Sequence, residues 1–257
     1  MIMYMIVLLY LLSPTVSANE KDIARLYESY GVKGSLIIQS LDGQVEYLYN
    51  SNTVDIGFVP ASTFKIPNTL IALEEGVIKD QFDLIKWDGV ERGYAQWNKD
   101  QTLKSAFAIS CVWCYQIFAR EIGDEKYQYY LTEFDYGNRK TGQDVSVFWL
   151  QGDLRISVRE QIKFLRRVYT QDIPLKKRSY SILKDIMLSD KTPAYIIWSK
   201  TGWAGKDGWY VGYMEVGGNI WLFAHHIEIR SETDLELRKK LVLEAFKLVR
   251  IIGDTNA

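Results

Sequence analysis

The chain has 257 residues, 47% hydrophobic and 25% charged, a balance that suits a soluble globular protein able to bury a large core. A formal charge of −1 and a sequence pI near 6.2 exclude a bulk electrostatic drive toward nucleic acid. The one basic run, Lys176-Lys177-Arg178, is short and reads as a solvated face.

The first eighteen residues carry no charged side chain, run apolar from Ile2 to Leu12 and close on Pro14-Thr15-Val16-Ser17-Ala18, with small residues where a signal peptidase reads. The expectation is export with cleavage after Ala18, a leader over 1–18 and one domain over 19–257. The apolar run is short for a bilayer span, so no membrane contact is expected once the leader is gone.

Two β-rich segments, 34–39 and 44–49, flank Asp42-Gly43, a strong hairpin signal. Next comes Pro60-Ala61-Ser62-Thr63-Phe64-Lys65, where a serine and a lysine three apart open a long apolar run. On a helix such a pair shares one face, which sets a nucleophile beside a base. Pro67 then falls inside that helix, where it removes an amide donor, so an irregular start or a kink is expected.

Helical spacing continues through 103–107, 112–122, 127–134, 158–168 and 180–187. Within it stands Cys111-Val112-Trp113-Cys114. A redox role needs a thiolate at a helix N-terminus after a strand, which this pair is not expected to have, so buried thiols or a local bridge are the readings kept. Strand character returns at 195–200, 209–216 and 220–229, and a last helix over 233–249 places Leu235, Leu241, Ala245, Leu248 and Val249 on one stripe.

Strands early, helices in the middle and strands late predict an α/β fold of the α+β type. In it an antiparallel sheet is flanked by helices, and a mostly helical lobe is inserted between the two ends of the sheet. No repeat, low-complexity tract or Pro/Gly/Ser-rich linker divides the chain. A cleft between the two lobes is the natural site.

The rest of the chain narrows the chemistry. The only histidines, His225 and His226, alternate to opposite faces of a strand, which disfavours a Ser-His-Asp triad and leaves structural zinc without a ligand set. Lys200-Thr201-Gly202 ends a strand-like segment, where lysine and threonine can line a cleft and glycine admits a close approach. Either Ser-x-x-Lys or Lys-Thr-Gly alone is common, and each has a bland reading as an exposed helix start or an edge-strand turn.

Taken in order, Ser62-x-x-Lys65, Ser110-Cys111-Val112, Tyr136-Gly137-Asn138, Phe148-Trp149-Leu150-Gln151-Gly152 and Lys200-Thr201-Gly202 resemble the class D, or oxacillinase-type, serine β-lactamases. The likeness spans most of the chain and implies a fold of the serine β-lactamase and penicillin-binding transpeptidase kind. It implies hydrolysis of the β-lactam ring of penicillin-type antibiotics, and hence resistance, with a small-molecule substrate, no metal and no nucleic acid. A periplasmic or extracellular enzyme is expected, and a homodimer is compatible with the likeness.

Carried over residue by residue, Ser62 would be the nucleophile and Lys65, N-carboxylated by carbon dioxide or bicarbonate, the general base; no other cofactor is implied. Ser110 would relay a proton to the leaving nitrogen. Val112, Trp149 and Leu150 would wall the carbamate, with the Trp149 indole as its donor. Lys200, Thr201 and Gly202 would line the substrate side, the backbone N–H groups of Ser62 and Trp203 would form the oxyanion hole, and Arg238 would hold the drug's carboxylate. A penicillin-binding sensor that is acylated without turnover is the alternative, and a short cleavable leader before one domain favours the free enzyme.

Overall fold

The computed structural model describes residues 16–253. Most of the expected leader, residues 1–15, lies outside the described residues. The first helix, α1 (Val16–Tyr30), was not foreseen from the sequence. It buries Ile23 and Tyr27, four residues apart on one face, and Tyr27 stacks on Tyr49 of the sheet at 4.0 Å.

The hairpin forms as expected: β1 (Gly34–Ser40) and β2 (Glu46–Tyr49) pair antiparallel, with Gly43 at φ +77° in the turn. The late strands are β6 (Ile196–Ala204), β7 (Asp207–Val216) and β8 (Asn219–Glu228). With the short β5 (Leu188–Lys191) they make a six-stranded sheet in the order β2-β1-β8-β7-β6-β5. Leu36 of β1 stands opposite His225 of β8, so the two ends of the chain meet at the sheet's centre. Strand β5 went unread because its residues, Leu-Ser-Asp-Lys, are all exposed and give no alternation. It pairs only with 196–198 of β6, leaving the rest of that strand as an open edge.

One face of the sheet is covered by α1 and by α8 (Leu237–Leu248), around Ile38, Phe223, Leu241 and Phe246. The chain enters α8 through a 3-10 turn over Glu232–Glu236, which corrects the uniform helix read over 233–249. That turn resets the phase: Leu241, Val242, Ala245 and Phe246 are the buried stripe, while Leu248 is exposed.

The other face carries the helical lobe: α2 (Lys65–Glu74), α3 (Leu103–Ala108), α4 (Val112–Ile122), α5 (Asp124–Glu133), α6 (Val158–Thr170) and α7 (Lys177–Met187). Nine consecutive residues of α2, from Lys65 to Leu73, are buried, so α2 is the lobe's central helix, apolar almost all round. A two-stranded ribbon, β3 (Leu84–Ile85) with β4 (Gln101–Thr102), closes the loop between α2 and α3. Among the described residues no helix is long and apolar enough to cross a membrane.

Candidate active site

The serine and lysine of the first motif meet at a junction between two kinds of helix. Ala61–Phe64 form a 3-10 turn that runs directly into α2 at Lys65. Side chains three apart eclipse one another in a 3-10 turn, and Lys65 Nζ donates to Ser62 Oγ at 3.1 Å. The irregular start foreseen from Pro67 is this change of helix type. Pro67 is the third residue of α2, in its first turn, where proline is best tolerated.

Neighbouring groups hold the turn in place. The Ala61 N–H donates to the Trp149 carbonyl at 2.9 Å, Thr63 Oγ1 donates to the Pro60 carbonyl at 2.7 Å, and Gln161 Nε2 donates to Thr63 Oγ1 at 3.0 Å. Gly202 of β6 packs against the same turn, where a Cβ would lie 3.0 Å from the Pro60 oxygen. The sequence reading gave this glycine to an approaching substrate; what comes close in the structure is the protein's own nucleophile turn.

Lys65 is 1% exposed, with Nζ 4.8 Å from the centre of the Tyr115 ring. Burial without a carboxylate partner lowers its pKa to about 7, so a large part of the side chain is neutral amine near neutral pH. Trp149 is also buried and stacks on Phe64 at 5.6 Å. Val112 and Leu150 line the cleft beside Ser62. A neutral amine, an apolar wall and an indole donor fit a carbamate at Lys65.

Across the cleft, Lys200 Nζ donates to Ser110 Oγ at 2.5 Å. Lys200 is buried, and its pKa is well below the usual lysine value, first through desolvation and then through the neighbouring cations Lys65, Arg238 and Lys239. Ser110 ends α3 in the left-handed region at φ +58°. Its N–H donates to the Phe107 carbonyl at 3.2 Å, and that of Cys111 donates to the Ala106 carbonyl at 2.9 Å, a Schellman pair.

Arg238, at the start of α8, donates from Nη1 to the Gly202 carbonyl at 2.7 Å and from Nε to the Leu235 carbonyl at 2.7 Å. Ser62, Ser110, Thr201, Trp203 and Arg238 all border one cleft of about 200 Å³. The structure therefore brings together every residue that the sequence proposed, with Lys65, Trp149 and Lys200 set behind the cleft wall.

The penicillin-binding protein transpeptidase domain family matches residues 18–247. The β-lactamase OXA-48 of Klebsiella pneumoniae is 41% identical over 224 residues, covering 86% of this chain and 84% of the relative. The β-lactamase OXA-5 of Pseudomonas aeruginosa is 36% identical over 93% of this chain and 92% of its own. The crystal structure of the class D β-lactamase YbXI from Nostoc superposes with a TM-score of 0.87 at 37% identity, covering 89% of this chain and 98% of that one. That of a class D β-lactamase from Sebaldella termitidis gives 0.87 at 39%, covering 90% and 97%. The chain belongs to the class D β-lactamases.

Within this class D chain, one site feature carries no sequence signal and another gives a motif its physical reason. The aromatic wall of Tyr94 and Trp97 sits at the cleft mouth with ring centres 4.7 Å apart, in a loop with no periodicity to read. Trp97 Nε1 donates to the Ile109 carbonyl at 3.1 Å, and Trp113 Nε1 donates to the Trp97 carbonyl at 3.0 Å, so the wall is tied to the Ser110 turn. Gly137 in Tyr136-Gly137-Asn138 is required by its backbone: φ is +54°, and a Cβ would stand 2.0 Å from the Arg155 carbonyl oxygen. Asn138 Nδ2 then donates to the Asp153 carbonyl at 2.8 Å, pinning the segment that follows Phe148-Trp149-Leu150.

Cys111 and Cys114 form a disulfide, so of the two readings left open the local bridge holds. One expectation is corrected: Cys111 is the N-cap of α4, so the pair does stand at a helix N-terminus, although a helix and not a strand precedes it. Both histidines are buried. His225 lies under α8, with Nδ1 2.8 Å from the Arg238 carbonyl oxygen, and His226 faces the helical lobe, with Nε2 2.8 Å from Asp207 Oδ1. Neither borders the cleft.

Proposed function

We propose that this chain hydrolyses the β-lactam ring of penicillin-type antibiotics through an acyl-enzyme on Ser62, and so confers resistance. The observation that carries the reading is the buried 3.1 Å contact between Lys65 Nζ and Ser62 Oγ, with Lys65 brought to a pKa of about 7. A serine hydroxyl is a weak nucleophile until a base takes its proton, and an ordinary lysine ammonium cannot accept one.

Ser62 Oγ attacks the ring carbonyl while its proton passes to the base at position 65. The developing oxyanion is met by the N–H groups of Ser62, in the opening turn of its 3-10 helix, and of Trp203, on the open part of β6. The ring nitrogen takes a proton from the Ser110 hydroxyl, which Lys200 Nζ holds in place, and Ser110 is restored by the proton that the base at position 65 took from Ser62. Arg238, tied to the Gly202 carbonyl at the cleft edge, holds the drug's carboxylate. Water then attacks the ester, its proton passing to the base at position 65 and from there to the Ser62 oxygen as the serine leaves. A carbamate formed on the neutral Lys65 amine with carbon dioxide would place an anionic oxygen acceptor beside the Ser62 hydroxyl, able to take its proton without first losing one of its own. Trp149, Val112 and Leu150 favour it by giving one donor and shutting out water.

In the same reading, the leader over 1–18 directs the chain out of the cytoplasm, residues 19–257 act as a single unit, and a homodimer is compatible with it. The test is an intact mass after brief exposure to benzylpenicillin, combined with steady-state turnover of a chromogenic β-lactam. A transient adduct on Ser62 with sustained hydrolysis is expected. A stoichiometric adduct that never turns over would make the chain a penicillin sensor, and no adduct would overturn the reading entirely.

A further inference from the structure

The Cys111–Cys114 disulfide does nothing in the mechanism above, yet it is built into the turn that carries the mechanism's proton donor. Ser110 occupies the position after α3 where a Schellman motif normally places glycine, because φ is positive there. At φ +58° a serine is disfavoured by contact of its Cβ with the backbone, and such a residue persists only where its surroundings over-determine it. Glycine would relieve that contact but would remove the hydroxyl that Lys200 holds.

Upstream of Ser110 the two Schellman bonds fix the turn. Downstream, the next residue, Cys111, is bonded covalently to Cys114, with Cα atoms 5.5 Å apart. The Cys111 sulfur also accepts the Cys114 N–H at 3.3 Å, standing where a Ser, Thr or Asp side chain usually caps a helix. The ring so closed holds Val112, which lines the cleft, and Trp113, whose indole ties down the Trp97 wall. Both cysteines are fully buried. Because the ring spans only four residues, it constrains the unfolded chain far less than a long loop would. Its effect is local to the turn.

We infer that the Cys111–Cys114 disulfide is a positioning element of the active site, holding Ser110 in its left-handed conformation against Lys200, presenting Val112 to the cleft and keeping Trp113 bonded to the Trp97 wall. This rests on the hydrolytic reading of the site. Without the bridge the Ser110 turn relaxes toward ordinary φ values, the Lys200–Ser110 contact lengthens, and protonation of the ring nitrogen slows.

The experiment compares wild type with Cys111→Ala/Cys114→Ala in single-turnover acylation by a chromogenic penicillin, each rate being normalised to sites titrated by a slowly hydrolysed β-lactam. A fall of fivefold or more in the acylation constant per titrated site is expected, with a melting temperature within a few degrees of wild type. A smaller change per site overturns the proposal. So does a drop in the number of titratable sites with unchanged constants, since that is what a purely structural bridge would give. If the variant does not fold, wild type is treated with a water-soluble phosphine. The phosphine is oxidised to its oxide, with oxygen from water, and two thiols form, to be counted by mass after alkylation. Loss of at least fivefold in the per-site constant, regained on reoxidation, supports the inference; an unchanged constant in fully reduced protein overturns it. A wild type that is never acylated removes the hydrolytic reading and this proposal with it, whereas an active wild type beside an equally active variant removes only the proposal.

Discussion

Gly202 of the sheet edge and Pro60 of the nucleophile turn are in such close contact that a Cβ on the glycine would lie 3.0 Å from the proline's carbonyl oxygen and 3.2 Å from the Thr63 amide nitrogen. Both are backbone atoms, so an added methyl group moves the turn itself and does not merely rotate a side chain. The contact sets the distance between Ser62 and the strand that carries Thr201 and Trp203.

Gly202→Ala is therefore expected to lower kcat/KM by about 10–100-fold, while overpacking costs about 1–3 kcal/mol of stability. Steady-state kinetics and thermal melts of the purified variant check it. An alanine variant with wild-type kcat/KM would show that the turn can retreat without harm.

Arg238 joins α8 to the same edge through the Gly202 carbonyl, and burial lowers its guanidinium pKa to about 10, so it stays charged at neutral pH. Arg238→Ala should raise KM by about tenfold or more for a penicillin with a free carboxylate, at roughly 1.5–3 kcal/mol for a hydrogen bond to a charged group. The same substrate as its methyl ester should lose much less. Equal losses for acid and ester would mean that the arginine acts only through the Gly202 carbonyl.

The sequence made the two ends of the sheet legible because Asp42-Gly43 and the apolar late strands are local signals, and it made the chemistry legible because five short motifs recur in fixed order. It could not show what depends on three-dimensional contact. Nothing in the string says that Gly202 faces Pro60, that the Tyr94 and Trp97 rings pack together, or that Ser110 takes a positive φ. Strand β5 and helix α1 went unread for a related reason: one is exposed throughout, and the other begins inside a stretch that reads as a leader. The Cys111–Cys114 bridge needed coordinates to choose between two chemistries that share one spacing.

Ser62→Ala should abolish covalent labelling by benzylpenicillin and all hydrolysis, while the melting temperature changes little. Ser62 is buried but its side chain borders the cleft, so removing one small hydroxyl and its hydrogen bond shifts stability by about 1 kcal/mol. The bond lost is the Lys65 contact, and it costs less than one to a full ammonium would because a lysine near its pKa is partly neutral. Mass spectrometry after a long incubation decides it: an adduct on the alanine variant would place the nucleophile elsewhere.

The pH dependence tests the base. Lys65 has its pKa lowered by burial from 10.5 to about 7, so the protonated form is disfavoured in the folded state. Below about pH 7 the ammonium forms and can neither take the Ser62 proton nor react with carbon dioxide, so kcat/KM should fall along an acid limb centred near that value. Added bicarbonate should partly restore activity above the limb and do little well below it. Stability follows from the same shift. Between about 7 and 10.5 the unfolded chain binds more protons at this site than the folded chain, so the Lys65 contribution to folding becomes more favourable as pH rises through that window. Lys65→Met, which removes the buried amine but keeps an unbranched side chain, should be inactive, more stable than wild type at pH 6, and flatter in stability from pH 6 to 9. Trp149→Ala removes the indole donor and opens the wall, so its deacylation should slow more than acylation and its turnover should depend strongly on bicarbonate. Denaturant melts across pH and kinetics in carbon-dioxide-depleted buffer measure these effects. A wild type whose acid limb lies near pH 5, with no response to bicarbonate in either protein, would mean that Lys65 is not the group that takes the proton.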